Sequence, residues 1–127
     1  MPGSYFAWIS DGVTDPASRF NQISKPWSRL DGVIVADSWP DLTDGLIDVR
    51  INLTETGSTL SAASVHSNVK TSGSTQSALA NDHCNGWTST TGFNERTGAT
   101  GDNNFKWTDK LTGYDCTFGA RLYCFQQ

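Results

Sequence analysis

Cys84-Asn85-Gly86-Trp87-Thr88-Ser89 and Arg121-Leu122-Tyr123-Cys124-Phe125 decide how this chain is read. Cys116 stands between them, so all three cysteines fall in the last third of the 127-residue sequence. No Cys-x-x-Cys occurs, which removes zinc-ribbon and thioredoxin chemistry. An odd cysteine count in so polar a chain implies one disulfide and one thiol left over. The aromatic and β-branched residues of Gly86–Ser89 and Arg121–Phe125 mark both as short strands.

Working outward, Phe105-Lys106-Trp107 follows a Gly/Asn-rich turn, Thr100–Asn104. Near the start, Tyr5-Phe6-Ala7-Trp8-Ile9 reads as a strand ended by the turn Ser10-Asp11-Gly12. Asp15–Phe20 reads as a short helix with Asp15 as N-cap and Pro16 at the first helical position. Trp27–Leu30 and Val33–Ala36 flank Asp31-Gly32, the signature of a hairpin with a type I′ turn. Ser38–Leu42 predicts one helical turn closed by Asp44-Gly45, and Leu46–Leu53 is strand or extended loop. The Ser/Thr/Gly/Ala-rich stretch from Thr54 to Ala80 reads as a surface loop with Val65 and Val69 turned inward. Short strands, turn signals and few helices give an α+β class with a mostly antiparallel sheet, in a single domain spanning residues 1–127.

The hydrophobic fraction is only 36%, but it includes five Trp, six Phe and three Tyr. Large aromatics of about 150–250 Å² each can anchor a loop-rich fold. Charged residues are 17% of the chain, so solubility rests on hydroxyls and amides, as on an extracellular surface. The net charge is −4, and the nine basic residues do not cluster. Nucleic acid, heparin-like polyanions and anionic membranes are therefore not expected as partners. No apolar run reaches the ~18–20 residues of a membrane span. Met1-Pro2-Gly3-Ser4 leads straight into the first strand with no signal peptide.

Cys84–Ser89, Cys116 and Arg121–Phe125 resemble the C-terminal half of the endostatin-like branch of C-type-lectin-like domains. The chain is also similar to a bacterial family of unknown function that includes leptospiral endostatin-like surface proteins. That likeness runs through Ala7–Asp11, Asp31–Leu42, Cys84–Ser89 and Leu122–Cys124. It implies a C-type-lectin-like fold with long loops and one or two short helices. It also implies an extracellular or bacterial cell-surface location, and adhesion to a protein or glycan, leptospiral members being described as binding host matrix proteins and complement regulators. The family carries a cysteine-bearing helix before the first strand, which this sequence starts too late to contain. It also often has a Trp on the strand where His66 stands. The matching endostatin pair is bridged, so Cys84 and Cys116 are expected to form the disulfide. Cys124 is then a buried free thiol. A homodimer or swapped pair covering the region beside Tyr5–Ile9 and Leu122–Phe125 is expected to fill the gap.

Catalytic chemistry is poorly served. His83 abuts Cys84, but strand neighbours point to opposite faces, so His83 is expected in solvent beside a disulfide half. Ser67-Asn68-Val69-Lys70 spells Ser-x-x-Lys without its companion motifs. No phosphate loop or His-Glu-x-x-His occurs. Asp37, Asp41, Asp44 and Asp48 have helical spacing, but Pro40 and Gly45 interrupt a helix, and caps and turns explain them. Trp107-Thr108-Asp109 matches half of a calcium-lectin motif whose Glu-Pro-Asn partner is missing. Trp8, Trp27, Trp39, Trp87 and Trp107 are expected in the core, and Asn52-Leu53-Thr54 spells a glycosylation acceptor. The chain is therefore read as a non-enzymatic binding or adhesion module with no metal and no cofactor. Its ligand is met by the loops Thr54–Ala80 and Thr91–Asn104, through Asn94, Asp102, Asn103, Asn104 and Asp109. A structural or self-assembly domain is the alternative, and a hydrolase ranks below both.

Overall fold

The computed structural model describes residues 2–22, 24–110 and 113–127, so Met1 lies outside it. Among the described residues, seven short strands form three small antiparallel sheets. Strand β1 (Tyr5–Ala7) pairs with β7 (Cys124–Gln126), placing the two ends of the chain side by side. Strands β2 (Trp27–Ser28) and β3 (Ile34–Ala36) form the hairpin. Strand β5 (Asn94–Ala99) lies between β4 (Ser64–His66) and β6 (Gly113–Asp115). Helices α1 (Pro16–Arg19) and α2 (Trp39–Leu42) are single turns.

Local chemistry sets these elements. Asp15 caps α1 through the Ser18 N–H, Ser18 reciprocates to the Asp15 N–H, and Pro16 opens the helix as its spacing predicts. Ser38 caps α2 by accepting the Asp41 N–H, without the reciprocal bond. In the hairpin, only Gly32 has positive φ, at 83°. Gly32 N–H donates to Arg29 O, and Arg29 N–H donates to Val33 O. The loop is therefore Leu30-Asp31-Gly32, the three-residue kind ending in a left-handed glycine, and not the expected type I′ turn. Asp31 keeps negative φ because its carboxylate is engaged by Arg29 and by the Val33 N–H.

Two stretches read as loops are partly regular. The Thr54–Ala80 run contains β4, with Val65 and Val69 both buried. Thr91–Asn104 contains all of β5, the longest strand among the described residues. Polarity hid both, because their neighbours are hydroxyl and amide residues that the fold buries with partners. Gly86–Ser89, read as a strand, is a tight turn instead.

The core is an aromatic cluster. The Trp8 ring contacts those of Phe20, Trp39, Trp107 and Phe125 at centroid distances of 4.9–6.0 Å. Trp8 and Trp107 are fully buried, Trp27 is nearly so, and Trp39 and Trp87 are partly covered. The Trp8 indole donates to Thr108 Oγ1 at 2.6 Å, so its one polar atom is satisfied inside. Gly98 lets β5 press against this cluster, since a Cβ there would stand 2.1 Å from Trp107 O.

Candidate functional site

Three surfaces need a functional account. The first is a polar end built by the turn after β5. Asp102, Asn103 and Asn104 enter a 3-10 turn, Phe105–Trp107, and Asp109 leaves it. Asn104 caps that turn through the Lys106 N–H at 3.0 Å, and the buried Trp107 anchors it. Asn94 belongs elsewhere. It opens β5 opposite Asp115, at the strand end about 17 Å from Ala99 at ~3.3 Å per residue. Four of the five ligand residues read from the sequence thus share one neighbourhood, and the fifth does not.

Asn103 O accepts the Ile47 N–H at 2.9 Å, which draws the segment holding Asp48 to the same end. There Asp37, Asp41 and Asp48 bring carboxylate oxygens within 4.8 Å of one another. Asp41 also accepts the Asp37 N–H at 2.7 Å. Asp44 stays apart and closes its own turn on the Leu46 N–H. Asp41 and Asp44 thus serve backbone N–H groups, whereas no hydrogen bond to the Asp37 or Asp48 carboxylate is seen among the described residues, and three carboxylates alone are fewer than the about six to eight oxygens that calcium takes.

The second surface surrounds the disulfide. Cys84 and Cys116 are bonded, with Cα atoms 5.8 Å apart, as the resemblance implied. Cys84, Asn85, Gly86 and Trp87 all have positive φ, between 49° and 69°. Three of the four are non-glycine residues, so this turn is strained and must be held from outside. The disulfide holds one side. The Trp87 indole donates to Ser10 O at 2.8 Å on another. His83 Nδ1 accepts the Gly86 N–H at 2.8 Å. His83 is therefore buried and structural, not solvated. The premise failed because residues 83 and 84 do not continue a strand.

Sequence reasoning missed the residue pair beneath this turn. Glu95 is 1% exposed, and its carboxylate bonds to Nδ1 of His66, whose ring lies edge-on to Trp87. A buried carboxylate needs such a partner. Alternation of Glu95, Thr97 and Ala99 on the inner face of β5 was the available signal. Glu95 also lines a cavity of about 270 Å³ with Ser64, Tyr114 and Phe118. A carboxylate that orients an imidazole is half of an acid–base apparatus. No hydrogen bond joins Ser64 Oγ to His66 among the described residues.

The third surface is a groove of about 1050 Å³ along β7. Cys124 is unpaired and opens onto it. The thiol was expected to be buried, but the alternation of β7 turns Tyr123 and Phe125 inward and Cys124 outward. Desolvation by the groove walls raises the Cys124 pKa, with the Glu55 carboxylate adding to the effect. The thiol form dominates at neutral pH, which makes Cys124 a poor nucleophile. Burial likewise pushes the Tyr123 hydroxyl well up, helped by Asp102.

No helix among the described residues is long and apolar enough to cross a membrane. No protein-family model matches the chain. The curated proteins compared with it give no match either.

Proposed function

We propose that the chain is an endostatin-like member of the C-type-lectin-like fold acting as a non-catalytic binding or adhesion module. It works outside the cell or on a bacterial surface and meets a protein or glycan with its polar end. The observation that carries this reading is the grouping of Asp102, Asn103, Asn104 and Asp109 on one turn anchored by Trp107. Amides and carboxylates on a rigid mount suit recognition of hydroxyl-rich or polar ligands. The disulfide fits an oxidising compartment.

The test is binding to a glycan array and to immobilised matrix proteins. The double variant Asp102→Ala, Asn103→Ala is expected to lose binding without a change in melting temperature, while Asn94→Ala keeps it. A chelator is expected to leave both binding and melting unchanged. A fall of many degrees on chelation would instead make Asp37, Asp41 and Asp48 metal ligands. The second reading is a structural or assembly domain, and the open edge of β7 favours it. Concentration-dependent oligomers with no ligand on either array would support that reading.

A further inference from the structure

The two outer edges of the β1–β7 ribbon are treated differently. On the β1 side, the Arg19 guanidinium donates to Ala7 O at 3.1 Å and Ile9 O at 2.6 Å, closing that edge. On the β7 side the odd-numbered residues face inward. Arg121 exchanges both backbone bonds with β4, through Ser64 O and the His66 N–H. Tyr123 O accepts the Trp8 N–H, and the Gln127 N–H donates to Ser4 O. The even-numbered residues Leu122, Cys124 and Gln126 therefore turn their backbone groups toward the groove. Of these groups, only Gln126 O has a protein partner among the described residues, the Trp27 indole at 3.0 Å.

We propose that this edge is a strand-addition site for an extended segment of another polypeptide, apolar at alternate positions. An alternating row of free N–H and C=O groups is met by an extended backbone and by little else. The groove, at about 1050 Å³, is at the upper end of the roughly 300–1,000 Å³ of small-molecule pockets and runs open along the edge, which leaves room for an extended segment. Trp27, Val35, Ile51, Leu53 and Leu122 supply apolar walls for every second side chain of such a segment. A second copy of this chain fits worse. Symmetric antiparallel pairing centred on Cys124 sets Leu122 of one copy against Gln126 of the other, and the Gln126 carbonyl is already held by Trp27. The proposal does not depend on the polar end as a ligand site.

The probe is a displayed library of random octapeptides selected on the intact protein. Selected peptides are expected to share alternating apolar residues and to slow amide exchange at Leu122, Cys124 and Gln126 at least tenfold. N-methylation of alternate peptide amides should abolish that protection. Cys124→Pro removes one edge N–H that no strand of this chain uses, so it should fold and lose the peptide. If that variant fails to fold, the N-methylated peptides carry the test alone. The proposal is overturned if the library yields no binder, if binders protect other amides, or if N-methylation leaves binding intact. It is also overturned if light scattering finds a dimer whose Cys124 amide is already protected without peptide.

Discussion

The side of the molecule around Trp8 and the side around Glu95 are held together by different physics. Trp8, Phe20, Trp39, Trp107 and Phe125 pack ring against ring, and the buried indole N–H of Trp8 finds Thr108 while that of Trp107 has no partner among the described residues. Around Glu95 the buried residues His83, Cys84 and Glu95 are held by an ion pair, a backbone hydrogen bond and a disulfide, while Thr97 Oγ1 and His83 Nε2 are buried without a partner among the described residues. Apolar packing is non-directional and accepts any arrangement that fills space. A buried polar set is directional, and each member left without a partner costs stability. The polar side is therefore the one with a covalent strap across its strained turn.

Trp8→Ala should give the largest loss, about 3–5 kcal/mol in denaturant unfolding, because it hollows the centre of the aromatic cluster. A loss under about 1 kcal/mol, the ordinary size for a point substitution, would show that the rings are not the main source of stability. Reduction of Cys84–Cys116, or their double replacement by serine, should cost about 3–4 kcal/mol by the chain-entropy argument for a separation of 32 residues. Amide exchange sharpens the contrast. Residues 83–99 should open first after reduction while the Trp8 amide stays protected. Loss of protection on both sides together would make the two regions one cooperative unit.

This division also explains what could be read in advance. The aromatic side was legible: Tyr5–Ile9, the Asp15-Pro16 helix, the Ser38 helix and the hairpin all have short-range signals in caps, turns and apolar runs. The polar side was not. Nothing local tells a surface hydroxyl stretch from β4, and the alternation of Glu95, Thr97 and Ala99 is too short and too polar to mark Glu95 as buried without its partner from distant sequence. His66 and Glu95 are 29 residues apart. The left-handed turn at Cys84–Trp87 is likewise imposed by Cys116, Ser10 and His83. Of the polar end, four residues were named from sequence, but the fifth, Asn94, lies at the far end of β5, a strand that the sequence did not reveal.

Thr108 joins the two halves and gives a mid-sized test. Its hydroxyl accepts from Trp8 Nε1, meets Ser67 Oγ and donates to Val69 O. Thr108→Val keeps the shape but strands the Trp8 indole and takes the Thr108 donor from Val69 O, leaving the Ser67 hydroxyl only the Val69 N–H. A loss of about 1–3 kcal/mol is expected from chemical unfolding. A neutral result would mean that the indole finds water, and the aromatic side would be wetter than its packing indicates.

The smallest effect should come from Asp15, which stitches α1 to the loop at Thr75. Its carboxylate accepts from the Ser18 N–H at 2.9 Å and from the Thr75 N–H at 2.9 Å. Burial is the largest single influence on its pKa and acts to raise it, but the bonds from Thr75 and Ser18 together outweigh burial and hold the carboxyl below its ordinary 3.8. A depressed folded-state pKa means that ionised Asp15 stabilises the fold at pH values above about 3.8, and that this contribution disappears as pH falls through the lower folded value. Asp15→Ala should cost about 0.5–2 kcal/mol at neutral pH, nearer the low end because solvent screens a partly exposed carboxylate. The same substitution should cost less at pH 2, as the wild type then loses the charge-assisted bonds too. A penalty that stays constant between pH 7 and pH 2 would locate Asp15's contribution in shape alone. The seam between the aromatic and polar sides would then rest on the Ala17 N–H to Gly73 O bond instead.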